Sequence, residues 1–427
     1  ISRTVYLIDV ISWHAKRMQN KQEILFLGYK KPFVKYLISY GVKRDVKVSL
    51  SLRGTYFSRN YLENHRYLMY RFPVLKYVLS GLMSILHWKN CQLYPKHNTD
   101  IGNNRKILFN GRGDLTLDCD GHHSDFFPYF NSKLSLKNMM VDGTHLKKTS
   151  FEQLKKRGLL FSRRLNGIVC LFKYKKVLDF NKSKSNVNTL HVKRLMQEYQ
   201  LCFAKYEEFY RNNKISIDYD WFKYSADHVI KKNVLEKNNG ILALQQLMFD
   251  GATFEECAFY SDVYFAFSKF SHEIDRKLES KCPYYIITGY PKDYSKKHLE
   301  KEASLVRKKL QSAGAKYIIA IFDENSASDE RWHTGHHLQA ENYYYILELL
   351  MKSGWLGVIF KPKVAATLRT RLPGICDLLD KALDSGRCHI FNETIGFSTK
   401  ASPLVASLAA DISIHSHLSG GTAALEC

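Results

Sequence analysis

At 427 residues the chain is too long for a single ordinary core, so two or more domains are expected. Its net charge of +23 is uneven: residues 1–214 hold 39 Lys and Arg against 15 Asp and Glu, whereas 215–427 hold 25 against 26. The basic half suits polyanions such as an anionic membrane surface or acidic carbohydrate, while the lack of zinc-finger spacing, an Arg-rich arm or an RNP-type aromatic pattern argues against nucleic acid.

The first half reads as short strands separated by basic, aromatic-rich segments. Thr4–Asp9, Glu23–Gly28 and Lys106–Asn110 are apolar or β-branched runs expected to be buried strands. Gly111-Arg-Gly113 after the third is expected to be a turn. Phe72–Trp88 is the most apolar stretch, interrupted by Lys76 and short for a bilayer span. A buried helix is the plainer expectation; an interfacial helix fits the flanking Arg66, Arg71 and Lys89. Asn138–Asp142 reads as a strand before Gly143-Thr144, and Ser150–Lys155 as the start of a helix. Residues 155–184 are basic and aromatic, ending in a polar linker, and His191–Tyr210 has a helical rhythm.

Alternation is clearer in the second half. Strands are expected at Tyr219–Tyr224, Gly240–Leu244, Asp262–Phe267, Pro283–Thr288, Ala315–Phe322, Leu356–Phe360, Arg387–Phe391 and Asp411–His415. Between them come helices at Asp227–Lys237, Lys269–Glu279, Lys296–Ala313, Gln339–Lys352, Ala365–Ser385 with a break near Pro373, and Ser402–Ala410. Such spacing implies right-handed βαβ units and parallel sheets. The division expected is a basic α/β region over 1–190, a middle α/β region with interdomain helices over 191–313, and a Rossmann-like nucleotide-binding domain over 314–427.

In such sheets ligands bind beyond the carboxyl ends of the strands. Three strand ends of the last region carry unusual residues. Asp323, Glu324 and His333 lie in a long acid- and His-rich loop and are candidates for general acid/base work; their spacing is not that of a zinc helix or a calcium loop. Lys361 and Lys363 flank Pro362, where two cations can face one anion. His415, His417, Ser419, Gly420, Gly421 and Thr422 form a small-residue turn into a helix carrying Glu426. There backbone N–H groups suit a diphosphate, Thr422 is a candidate cap, and Glu426 is placed for a ribose or sugar diol. A fourth cluster puts Asp227 and His228 at a helix start, with Asp227 as a candidate cap and His228 as a base or phosphate contact. An ordinary strand-to-helix turn and a packed loop are the structural alternatives for these features.

The nine Cys are scattered without a C-x-x-C pair, which argues against a disulfide framework and fits a reducing cytoplasm. No secretory signal pattern is present. The start at Ile1 and the end at Cys427 inside a patterned segment lead us to expect a fragment.

From about Asp118 onward the chain resembles bacterial surface-carbohydrate (capsule or lipopolysaccharide) biosynthesis proteins of glycosyltransferase-like GT-B architecture. The resemblance is carried by Ser124–Phe127, Trp221–His228, Thr288–Tyr290, Phe322–Ser326 with Arg331–Gly335, Lys361–Lys363 and Asp411–Glu426. It implies an α/β protein with two Rossmann-like domains of GT-B type, the C-terminal one truncated, and a nucleotide-activated sugar as donor. The expected function is sugar transfer without a metal or other cofactor to a carbohydrate or lipid-linked acceptor. The expected location is the cytoplasm, peripheral at the inner membrane. Alternatives are a polyol-phosphate (CDP-glycerol type) transferase, from whose usual His-Pro the sequence Pro362-Lys363 departs, a sugar-nucleotide epimerase, or a non-catalytic polysaccharide- or membrane-binding assembly factor.

Overall fold

The computed structural model of the chain describes residues 2–17, 23–27, 33–50, 104–113, 136–146, 152, 154–156, 158–162, 187–221, 223–248, 257–290, 296–323, 325–328, 335–391, 403–415 and 421–427. The expectations for Phe72–Trp88 and for 163–184 lie outside them. The chain divides into two compact units, residues 1–95 with 164–209, and residues 96–163 with 210–427.

In the first unit, Thr4–Asp9 is not a strand. It belongs to helix α1 (Ser2–Arg17), because the buried residues Thr4, Ile8, Ser12 and Ala15 recur at helical spacing across a longer window than the six-residue run. Glu23–Leu27 is strand β1 as expected, and it pairs in parallel with β2 (Val46–Leu50) after helix α2 (Val34–Val42). Ile8, Val34, Leu37, Val46 and Val48 form the core of this layer. Helix α3 (Val187–Asn213) contains the predicted His191–Tyr210 rhythm.

The second unit holds two sheets in which every pairing is parallel. The first has seven strands: β3 (Lys106–Gly113), β4 (Met139–Leu146), β5 (Leu160–Ser162), β6 (Ile215–Asp220), β7 (Ile241–Gln245), β8 (Val263–Ala266) and β9 (Tyr284–Ile287), in the order β5-β4-β3-β6-β7-β8-β9. Gly111-Arg-Gly113 is therefore strand rather than turn, with a register shift between Asn110 and Arg112 taking up the irregularity. Strand β4 likewise runs through Gly143-Thr144. The strand expected at Tyr219–Tyr224 lies four residues earlier. Asp218 and Asp220 disguise it, since a buried strand seldom carries two carboxylates. Helices α4 (Asp227–Lys237) and α5 (Lys269–Lys277) connect its later strands, α5 starting from a Ser268 hydroxyl that accepts from Ser271 N–H.

The second sheet follows helix α6 (Lys296–Ser312) and has four strands, β10 (Tyr317–Phe322), β11 (Leu356–Lys361), β12 (Cys388–Ile390) and β13 (Ile412–His415), in the order β12-β11-β10-β13. Renumbered from its first strand, this order is 3-2-1-4. The larger sheet repeats it and continues 5-6-7, so both are doubly wound Rossmann-like sheets. All six residues of β11 are buried because both faces are covered. One face carries α7 (His336–Lys352) and α9 (Cys376–Asp384), with Ile321, Tyr343, Phe360 and Leu379 in its core. The other carries α6 and α10 (Pro403–Ala409), with Leu299, Phe322, Ile359 and Val405. Between β11 and α9, the predicted break near Pro373 separates a short α8 (Leu368–Arg371) from the rest.

Gly357 marks where backbone and neighbour approach most closely in this sheet. A Cβ there would stand 2.8 Å from Ala315 Cβ and 3.2 Å from Ile318 Cγ1. Gly357→Ala is expected to cost about 1–3 kcal/mol, typical of overpacking, in urea denaturation. A variant as stable as the parent would show that the strand gives way freely at this point.

Candidate functional site

In the four-stranded sheet the order reverses between β10 and β13, and the crevice beyond their carboxyl ends is the expected ligand position. Register fixes what stands there. Phe322 pairs with Lys361 on one side and with His415 on the other, so these three side chains leave the same face. Phe322 packs into the core under α6 and α10, with Ala423 of the short helix α11 (Thr422–Glu426) against the same cluster. Helix α11 thereby brings Glu426 within electrostatic reach of Lys361. Lys361 is 9% exposed, and this burial lowers its pKa below the usual lysine range, against the upward pull of Asp323 and Glu426.

Asp323 emerges on the opposite face. Its Oδ2 accepts from Tyr343 O–H at 2.9 Å and its Oδ1 from the Lys363 backbone N–H at 2.8 Å. Tyr343 stacks on Phe360 at 4.6 Å, and burial, then Asp323, pushes its phenol well above the usual range. Asp323 thus ties the end of β10 to the turn after β11. The Lys363 side chain is exposed, unlike that of Lys361. Gly421 is the cap residue of α11, without a side-chain bond, and Thr422 is the first helical residue rather than the cap. Glu324, His333, His417, Ser419 and Gly420 lie outside the described residues.

Tyr290, three residues past the end of β9, donates its hydroxyl to Glu426 Oε1 at 2.5 Å. This bond joins the carboxyl end of the seven-stranded sheet to that of the four-stranded one.

In the seven-stranded sheet the order reverses between β3 and β6. A buried polar group fills that position, and the sequence reading found only His228 of it. Asp218 Oδ1 accepts from Asn110 Nδ2 at 2.6 Å and its Oδ2 from Tyr210 O–H at 2.5 Å. Lys231 of α4 stands 2.5 Å from Asp220 and 3.3 Å from Asp218. Burial raises the Asp218 pKa. Lys231 and Tyr210 oppose the rise, and Asp220 and Asp142 add to it. His228, one turn before Lys231, is buried, and burial lowers its pKa against weaker support from the Ser225 backbone and Asp227. Ala226 rather than Asp227 is the cap residue of α4. The signals available in the sequence were a Tyr at the end of the preceding helix, two Asp in strand-like context and a Lys on the following helix. Asn110 lies 108 positions from Asp218, and no local pattern links the two.

Among the described residues, no group of three or more His, Cys, Asp or Glu is placed to share a metal ion, and no helix is long and apolar enough to cross a membrane.

No family model and no curated protein matches the chain. Among solved structures it is similar to the UDP co-structure of Staphylococcus aureus MnaA, with 10% identity over 67% of this chain and 68% of that one and a TM-score of 0.36. It is also similar to UDP-GlcNAc 2-epimerase from Methanocaldococcus jannaschii, with 11% identity, 73% and 78% coverage and a TM-score of 0.39. A glycosyltransferase from Rickettsia africae has 9% identity, 73% coverage of each chain and a TM-score of 0.36. These likenesses are distant, and the fold class rests on the chain's own strand order.

Proposed function

We propose that the chain is a transferase that takes a sugar from a nucleotide-sugar donor to a hydroxyl of a carbohydrate or lipid-linked acceptor, in bacterial surface-polysaccharide assembly at the cytoplasmic face of the membrane. The observation that carries the reading is the Tyr290–Glu426 bond, which holds together the carboxyl ends of two sheets of the same winding order. Each sheet offers a switch-point crevice, one for each of two substrates.

The donor diphosphate lies at the β10–β13 crevice, with Lys361 as its cation and the residues after His415 around it. A buried lysine whose charge is incompletely compensated gains more from an arriving anion than an exposed one does. As the bond from the sugar carbon to the diphosphate oxygen breaks, the growing negative charge meets that cation and no metal is needed. The acceptor lies at the β3–β6 crevice. Its hydroxyl oxygen forms the new bond to the sugar carbon while its proton passes to His228, which its lowered pKa keeps neutral. The basic first half of the chain serves the acceptor or the anionic membrane. The surface-polysaccharide setting rests on the resemblance of residues 118–426 alone.

Thermal-shift and calorimetric titration with UDP-sugars, CDP-glycerol and free nucleotides test the reading. A nucleotide-sugar is expected to raise the Tm, with affinity at least tenfold weaker in Lys361→Ala and falling as pH rises through the lowered Lys361 pKa. His228→Gln is expected to keep binding and lose about 100-fold or more in turnover. A response to CDP-glycerol alone makes the chain a polyol-phosphate transferase, and conversion of the sugar without transfer makes it an epimerase. No response to any nucleotide sinks the enzymatic reading and leaves an assembly factor.

A further inference from the structure

The face of the four-stranded sheet opposite Lys361 carries a polar group that the transfer reading does not use. Ser326, in the loop after β10, is 3% exposed. Its Oγ lies 2.6 Å from Arg371 Nη1 and 2.9 Å from His336 Nδ1. Arg371 can only donate, so the hydroxyl accepts from it, and the direction of the Ser326–His336 bond follows the His336 tautomer. Arg371 Nε donates to Thr367 Oγ1 at 3.0 Å. Its bonds among the described residues are thus to neutral hydroxyls. Among the described residues, its Nη2 is enclosed by protein and has no acceptor. A second donor is in the same condition: Gln339 is 2% exposed, and its Nε2 is buried without a partner among the described residues. Gln339 lies three residues after His336 on α7, on the same helical face.

Two buried donors without acceptors, from two separate elements, are costly features for a fold to keep. They surround the first turn of α7, a 17-residue helix whose cap residue Gly335 offers no side-chain bond. His336 N–H donates to Ala327 O at 3.0 Å and Gln339 N–H to Gly335 O at 3.1 Å, so the first turn contributes the positive end of the helix dipole, which favours an anion. Arg371 and His336 are only partly buried, so solvent meets the edge of the group, above the two enclosed donors. Every unmet atom is a donor, and the charge is that of a guanidinium. The complementary ligand is therefore a compact anion with several acceptor oxygens.

We propose that Arg371, Gln339 and the first turn of α7 form a binding site for a phosphate-class oxyanion, with Ser326 and His336 as positioning residues that hold the guanidinium. The site is separate from the proposed donor crevice, which lies on the other face of the sheet, and it stands whether or not the nucleotide reading does. The oxyanion is either free inorganic phosphate or the phosphoryl group of a larger molecule.

The test uses the full chain at constant ionic strength, titrated with inorganic phosphate and with glycerol 3-phosphate as a monoester, with chloride as the salt control. Phosphate is expected to raise the Tm, with at least a tenfold loss of affinity in Arg371→Gln and in Gln339→Leu and none in Lys361→Ala. Gln339→Leu removes a buried donor without an acceptor. It should therefore fold, with a Tm equal to or above the parent's in phosphate-free buffer, and keep the proposal falsifiable if Arg371→Gln does not fold. Tighter binding of phosphate than of the monoester supports a site for the free ion, and the reverse supports a phosphoryl subsite. No binding by the parent chain, binding that survives Gln339→Leu, or loss only in Lys361→Ala overturns the proposal.

Discussion

Lys231→Met is expected to lower the stability of the chain by about 3–5 kcal/mol, the cost of leaving buried carboxylates without their cation. Lys231 is 2% exposed and stands between Asp218 and Asp220, themselves buried in the middle of a parallel sheet. Methionine fills the same volume, so the loss is electrostatic rather than a cavity. The pH dependence gives a second signature. The folded pKa of Asp218 is raised, so its contribution to stability is present below its unfolded value and is lost as pH rises through the folded one. Lys231 is the largest influence holding that pKa down, and its removal raises the pKa further. The deficit of Lys231→Met is therefore largest near neutrality and shrinks toward acid. A triple variant that also carries Asp218→Asn and Asp220→Asn should recover much of the loss. Urea midpoints at several pH values measure all three effects, and a deficit under about 1 kcal/mol at neutral pH would show that solvent reaches the pair.

The second large effect concerns Asp323. Asp323→Ala removes the acceptor of the buried Tyr343 hydroxyl and of the part-buried Lys363 N–H. At about 1–3 kcal/mol for each unmet group, the combined cost is about 2–4 kcal/mol after local relaxation. Asp323→Asn keeps an acceptor for Lys363 N–H and an amide that can donate to the Tyr343 oxygen, so its cost should stay below about 1.5 kcal/mol. Comparing turnover with stability in Asp323→Asn separates two roles. A strand-end clamp predicts activity within about threefold of the parent, whereas a general base predicts a loss of about 100-fold or more. The second outcome would move the proton acceptor from His228 to Asp323.

Much of the second half was legible because its elements obey simple periods. Leu356–Phe360 carries no polar side chain because both faces of its strand are covered, and Asp227–Lys237 ends where expected, at Asn238-Asn239-Gly240. The strand ends follow from the same periods, which mark Asp323, Lys361 and His415 as edge residues. Failures came where a window was too short or tertiary partners overrode propensity. Thr4–Asp9 reads as a short apolar run only until Ser12 and Ala15 are included and the helical spacing appears. Asp218 and Asp220 are tolerated in a strand because Tyr210 and Lys231 on the flanking helices, and Asn110 from 108 positions away, supply their partners. Arg371 and Ser326 stand 45 residues apart, and nothing in either segment announces the other.

The pairing of β3 with β6 also bears on how the chain is made. Asn110 and Asp218 touch across the centre of the seven-stranded sheet, yet 108 positions separate them. At ribosomal speeds of about 5–20 residues per second, β3 is complete roughly 5–20 s before β6 leaves the ribosome. Throughout that interval one edge of β3 has no native neighbour, and a strand edge in that condition is open to pairing with other chains. The central cluster of Asn110, Tyr210 and Asp218 can form only once this delay ends, which makes closure of the sheet a late, non-local and slow event. Lower temperature during synthesis lengthens the exposure, whereas a holdase chaperone that covers β3 shortens its effective span.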